Sequence, residues 1–153
     1  MAPRKHPPKL IGHPLPFGER TALSRALAKA GLPVDDVEAP GRLFWRFETP
    51  DQVPVGYGGL EIHRKEALLR SILTLPPARK RGVGRAIVAA LETEAFIAGC
   101  RSVWLITTSL RPFFEPLGYT PCERADVSKT IRETQQFAAL CPASATVMMK
   151  RLR

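Results

Sequence analysis

Arg79, Lys80, Arg81, Gly82, Val83 and Gly84 follow one another, and residue types in this order suit the binding of an anion. The cations supply charge, and the glycines let a ligand come close to the backbone. Residues 85–98 (RAIVAALETEAFIA) then have the spacing of an amphipathic helix that Gly99 ends. A helix starting beside such a loop presents unbonded amide hydrogens and the positive end of its dipole, which fits phosphate. Before the loop, residues 67–75 (ALLRSILTL) read as a strand closed by Pro76 and Pro77. The loop alone is a weak signal. Strand, basic glycine loop and helix together are a strong one.

Other reactive residue types are sparse. Cys100, Cys122 and Cys141 are an odd set without paired metal-ligand spacing, so no metal is expected and reduced thiols in a cytoplasmic setting are the simplest reading. Cys141, in LCPAS, reads as a small packing residue. His63 closes a strand and reads as solvent-facing, while His6 and His13 lie in a proline-rich stretch. The formal charge of +9 over 153 residues permits nucleic acid or a phosphorylated small molecule as partner. Two basic clusters sit at the chain ends, and aromatic residues do not interleave with the cations, so nucleic acid is not expected. The sequence has no apolar run of about eighteen residues and no apolar signal core, so no membrane association is expected.

The elements that must position these residues follow from periodicity. Residues 1–18 are expected to form a flexible or draped arm, and 19–153 one α/β domain. Helices are expected over 19–30, 84–98, 110–117 and 128–140, the last with Thr130 and Glu133 spaced as a capping box. Pro116 should end the third early, with Gly118 as its cap. Strands are expected over Arg42–Glu48, 55–63, 67–75, Ser102–Thr107, 119–124 and 145–152. Three glycines in VGYGG suggest a bend or bulge in the second. SVWLIT is continuously apolar, as in a strand covered on both faces.

LLRSILTLPPARKRGVGRAIVAALETEA, followed by SVWLITT and FFEPLGY, resembles the GNAT superfamily of acetyl-CoA-dependent N-acetyltransferases, strongly over residues 55–124. With GLE (Gly59, Leu60, Glu61) and QFAALCPASA at 136–145, the chain also resembles a narrower group, the arsenic-resistance-operon or ArsN-like type. The resemblance implies a mixed, mostly antiparallel sheet, splayed in the middle and flanked by helices. It implies acetyl-CoA as co-substrate, with pantetheine along Ile72, Leu73 and Thr74 and an amide near Leu73 polarising the acetyl carbonyl. The pyrophosphate would rest on the amides of Arg81, Gly82, Val83, Gly84 and Arg85. Arg79 holds the first motif position, and Lys80, Arg81 and Arg85 add charge for the phosphates.

Acyl transfer to an amine needs a neutral nucleophile and an exit for the thiolate. By the resemblance, Glu61 is the candidate base; a salt-bridged carboxylate, paired with Arg70, is the equal alternative. Phe114 stands where many family members carry a tyrosine that protonates the thiolate, which leaves that role vacant. Tyr119 reads as a packing residue. For the acceptor, Arg70, Thr107, Thr108 and Arg132 are the candidate contacts, with Arg111 a further one for an anionic group. The expected acceptor is a small-molecule primary amine, an amino acid-like toxin or an arsenic-linked compound. The alternatives are a protein N-terminus or lysine as acceptor, or a non-catalytic acyl-CoA-binding module. Such proteins are often homodimers, and residues 145–152 offer a strand for pairing.

Overall fold

The apolar stretches become strands in the computed structural model, which describes residues 8–78, 82–139 and 144–153. The elements are β1 (Ile11–Pro14), α1 (Thr21–Lys29), β2 (Arg42–Glu48), β3 (Pro54–His63), β4 (Glu66–Thr74), α2 (Val83–Ile97), β5 (Ser102–Thr107), α3 (Arg111–Phe114), β6 (Thr120–Cys122), α4 (Lys129–Arg132), α5 (Gln135–Ala139) and β7 (Thr146–Arg151). Strands bond in the order β1-β2-β3-β4-β5-β7-β6, forming a seven-stranded sheet. β1–β2, β5–β7 and β6–β7 are antiparallel, whereas β4 and β5 are parallel, so the sheet is mixed and mostly antiparallel. The parallel ladder joins Glu66, Ala67 and Leu68 to Ser102, Val103 and Trp104, while β4 continues to Thr74.

The chain groups into two compact units. One holds the chain up to Leu60 together with Ser71–Thr93; the other holds Glu61–Arg70 and Glu94–Arg153.

In the first unit, Leu23 and Leu27 of α1 pack with Val37, Phe44 and Tyr57, and Leu73 and Leu75 lie against that cluster. The glycines of β3 admit close neighbours. A Cβ on Gly58 would stand 2.6 Å from Leu91 Cδ1, and one on Gly56 would stand 2.3 Å from the Leu73 carbonyl oxygen. A local irregularity does lie in β4, at Ser71, where φ is 57°.

Part of the expected arm, from Ile11 to Pro14, pairs with the sheet. Ile11–Pro14 form an edge strand on β2, with Ile11 opposite Glu48 and Pro14 opposite Trp45. An edge strand tolerates proline because its outward amides need no ladder partner. Gly12 fits here because Phe47 Cε1 would lie 2.9 Å from any Cβ.

In the second unit, Leu68, Trp104, Val127, Ile131 and Val147 form the buried cluster, with Ile106, Cys122, Phe137 and Met149 packed against it. The expected helix over 128–140 divides into α4 and α5 because it contains two caps. The Ser128 hydroxyl accepts from the Ile131 amide at 3.2 Å, and Thr134 Oγ1 accepts from Phe137 N at 3.1 Å. Ser128 is thus the N-cap in place of Thr130, and Glu133 pairs with Lys129 at 3.7 Å. Pro116 converts the helix starting at Arg111 into a 3₁₀ turn, and Gly118 closes it at φ 99°. The strand expected over 119–124 is only Thr120–Cys122, since Arg124–Asp126 turn back as 3₁₀ helix.

Candidate active site

The first unit carries the strand-to-helix device. The end of β4 supplies Ile72, Leu73 and Thr74, all half-buried, where residues 67–70 of the same strand are buried. The Leu75 amide donates to the Val55 carbonyl at 2.9 Å, and Pro76–Ala78 form a 3₁₀ turn. Arg79, Lys80 and Arg81 lie outside the described residues.

Gly82 directly precedes α2, and its φ of 75° is a left-handed value that L side chains rarely adopt. Its carbonyl accepts from Ala86 N at 3.1 Å, so the amides of Gly82, Val83, Gly84 and Arg85 belong to the first turn, where no i−4 carbonyl is available. This turn has no acidic residue, and Arg85 is exposed beside it. Among the described residues, a Cβ on Gly82 would meet nothing closer than Pro8 Cδ at 3.5 Å. Val83 and Ala86 turn inward, which anchors the helix start while its amide end stays polar. These residues fit a phosphorylated ligand: left-handed glycine, positive dipole end and a first turn without acidic residues.

The second unit carries the ionisable groups. Glu61 is wholly buried, and both of its carboxylate oxygens are engaged. Arg70 Nη1 donates to Oε2 at 3.1 Å, and His63 Nε2 lies 3.0 Å from Oε1. The Glu61 and Arg70 side chains have no exposed surface, whereas His63 retains 28 %. Arg70, considered above for gripping an acceptor, is instead buried on Glu61. The contact of His63 with Glu61 escaped the sequence reading, although residues two apart on a strand share a face. The positive φ of Ser71 left no signal, since serine does not announce that conformation.

Thr107, Thr108 and Arg132 also belong to this unit. Thr107 Oγ1 accepts from the Leu110 amide at 2.9 Å and so holds the turn after β5, while Thr108 and Arg132 are exposed. Arg111 pairs with Glu115 one helical turn away, at 3.1 Å. Phe114 is buried edge-on against Tyr119, with ring centroids 5.6 Å apart, and Tyr119 is 1 % exposed. Burial pushes the Cys100 thiol up from its ordinary pKa, and burial with nearby Asp126 and Glu123 does the same to Cys122. Both therefore remain protonated near neutral pH and are poor nucleophiles. Cys141 lies outside the described residues. Among the described residues, no group of three or more His, Cys, Asp or Glu side chains is placed to hold a metal ion, and no helix is long and apolar enough to cross a membrane.

Comparison with known proteins agrees with this geometry. Residues 15–119 match the model of the Acetyltransferase (GNAT) family. No curated protein matches the chain. Among solved structures, Rv2747 from Mycobacterium tuberculosis, in complex with CoA and NLQ, superposes with a TM-score of 0.73 at 21 % identity, covering 94 % of this chain and 99 % of that one. The ribosomal-protein-S18-alanine N-acetyltransferase from Escherichia coli gives 0.68 at 16 % identity, covering 94 % of each chain. N-acetylglutamate synthase from Neisseria gonorrhoeae, complexed with coenzyme A and L-arginine, gives 0.74 at 14 % identity, over 95 % of this chain and 34 % of that longer one.

Proposed function

The chain belongs to the GNAT acetyltransferase family, and on that premise we propose that it transfers acetyl from acetyl-CoA to the primary amine of a small molecule. The observation that carries the donor assignment is the start of α2, with left-handed Gly82, an acid-free first turn and Arg85 exposed beside it. Acetyl-CoA, when bound, supplies an activated thioester. Its pyrophosphate would rest on the amides of Arg81, Gly82, Val83, Gly84 and Arg85, with Lys80, Arg81 and Arg85 adding charge and Arg79 at the first motif position. Ile72, Leu73 and Thr74 would hold the pantetheine arm, and the amide near Leu73 would polarise the acetyl carbonyl.

On the acceptor side, Glu61 is the carboxylate behind removal of the ammonium proton, held in place by Arg70. Thr107, Thr108 and Arg132 are the acceptor contacts. No tyrosine stands at Phe114, and none is required: a thiol with a pKa of about 8.5 is a good enough leaving group to depart as thiolate and take its proton from the reacting nitrogen. An amino acid-like amine is the first acceptor to test. Support for it comes from a structural neighbour crystallised with coenzyme A and L-arginine. The arsenic-linked acceptor has its support in the GLE and QFAALCPASA resemblance.

The test follows free thiol while the pure protein is incubated with acetyl-CoA and amino acids, amino acid-like toxins, small amines and peptides with free N-termini or lysines. Turnover on a small amine is expected. Turnover confined to peptides would replace this reading with a protein acetyltransferase. Tight acetyl-CoA binding without turnover on any amine would replace it with an acyl-CoA-binding module.

A further inference from the structure

Resting on that reading of the reaction, we propose that His63 is the group that takes the proton from the acceptor's ammonium, and that Glu61, fixed by Arg70, positions it. Glu61 cannot easily do this itself. It is fully buried, Arg70 holds Oε2, and His63 holds Oε1. Of the three side chains only His63 meets solvent, with 28 % of its surface exposed against none for the other two. An ammonium arriving from water therefore reaches the imidazole before the carboxylate.

The bond between them also sets the tautomer. An ionised carboxylate only accepts, so Nε2 carries the hydrogen that Glu61 receives, and the lone pair is left on Nδ1. Nδ1 has no hydrogen-bond partner among the described residues. This is the arrangement in which a carboxylate orients an imidazole and stabilises its protonated form. The other charges of the hairpin do not displace it. Glu66 accepts from the Ser128 hydroxyl at 2.7 Å, and Arg64 and Lys65 are exposed in the turn between β3 and β4.

The step balances without a further reactant. The ammonium gives one proton to Nδ1, and the freed lone pair forms the nitrogen–carbon bond as the carbon–sulfur bond breaks. Sulfur takes that electron pair and a second proton from the nitrogen, yielding free thiol. His63 returns its proton to water through its exposed edge.

The experiment measures kcat/KM against pH for wild type and His63→Gln, using an amine that the thiol-release panel identifies, with acetyl-CoA affinity and thermal midpoint recorded alongside. His63→Gln should lower kcat/KM about 10²-fold near neutral pH, with the loss shrinking as pH rises and the amine deprotonates unaided. Acetyl-CoA affinity should stay unchanged. A purely structural His63 would lower the midpoint without reshaping the profile, and a wild-type profile in the variant overturns the proposal. Glu61→Gln should reshape the profile in the same direction; if loss of the carboxylate charge beside buried Arg70 unfolds it, the His63→Gln profile alone decides. Failure of wild type on every amine would defeat the small-amine reading and this inference with it. Wild-type turnover with an unaltered His63→Gln profile would defeat only the inference.

Discussion

The two units solve different chemical problems with different materials. In the first, the proposed anion-binding device is almost entirely backbone: left-handed Gly82, the first-turn amides of α2, and a strand end at Leu73 whose carbonyl lies where a side chain on Gly56 would go. In the second, it is almost entirely side chain, with Glu61, Arg70 and His63 locked together by two bonds. A backbone device leaves a mark in sequence, because glycine is nearly obligatory at a positive φ or a close approach. A side-chain cluster leaves little, because Glu61 and Arg70 are nine residues apart and meet only through strand pairing. One arginine from each unit makes the contrast testable: Arg85 is exposed at the helix start, and Arg70 is buried on a carboxylate.

The largest effect should come from Arg70→Ala. It leaves Glu61 charged, buried and without its guanidinium partner, which costs about 3–5 kcal/mol. Urea unfolding measures it, and Arg85→Ala should change stability by only about 0.5 kcal/mol or less in the same assay. The affinities should run the other way, with Arg85→Ala weakening acetyl-CoA and Arg70→Ala leaving the affinity of the folded fraction intact. Equal stability losses for both arginines would break the comparison.

Next comes Gly56→Ala. The added methyl would stand 2.3 Å from the Leu73 carbonyl oxygen and 2.8 Å from Ile87 Cδ1. Backbone cannot rotate away as a side chain can, so the β4 segment must shift, at about 1–3 kcal/mol. Because that segment is the proposed pantetheine strand, acetyl-CoA affinity should fall as well, read by calorimetry. Gly82→Ala separates strain from crowding. Among the described residues its Cβ meets no atom closer than 3.5 Å, so the cost is the positive φ, about 1–2 kcal/mol. Unaltered acetyl-CoA affinity in both glycine variants would remove the donor site from this unit.

The same contrast explains what was legible in the sequence. Arg42–Glu48 and Ser102–Thr107 match their strands residue for residue, because their apolar pattern states which faces are covered. The start of α2 was legible for the reason already given for glycine. Ile11–Pro14 was hidden because proline content argues for irregular chain, and only pairing with β2 decides otherwise. Ser71 was hidden because any residue can be forced to a positive φ by its surroundings. The Glu61–Arg70 pair was visible as one of two readings. Total burial and the His63 bond, which sequence does not contain, show how that pair sits.

The smallest predicted effect tests whether the second unit's hydroxyls belong to the architecture or to the chemistry. Ser128 accepts from the Ile131 amide and donates to Glu66 Oε2; Thr134 accepts from the Phe137 amide and donates to the Ile131 carbonyl at 2.7 Å. Ser128 thus starts α4, and Thr134 ends it and starts α5, which is why a pattern apolar enough for one helix yields two. Ser128→Ala and Thr134→Ala should each cost about 1 kcal/mol, the usual value of a lost N-cap. Neither should change acetyl-CoA affinity, because neither touches the start of α2. Near-neutral stability paired with a large loss of turnover would move these hydroxyls from scaffold to acceptor site. The short helices would then belong with Glu61 and His63 as a chemical surface rather than with Leu68 and Trp104 as a covered core.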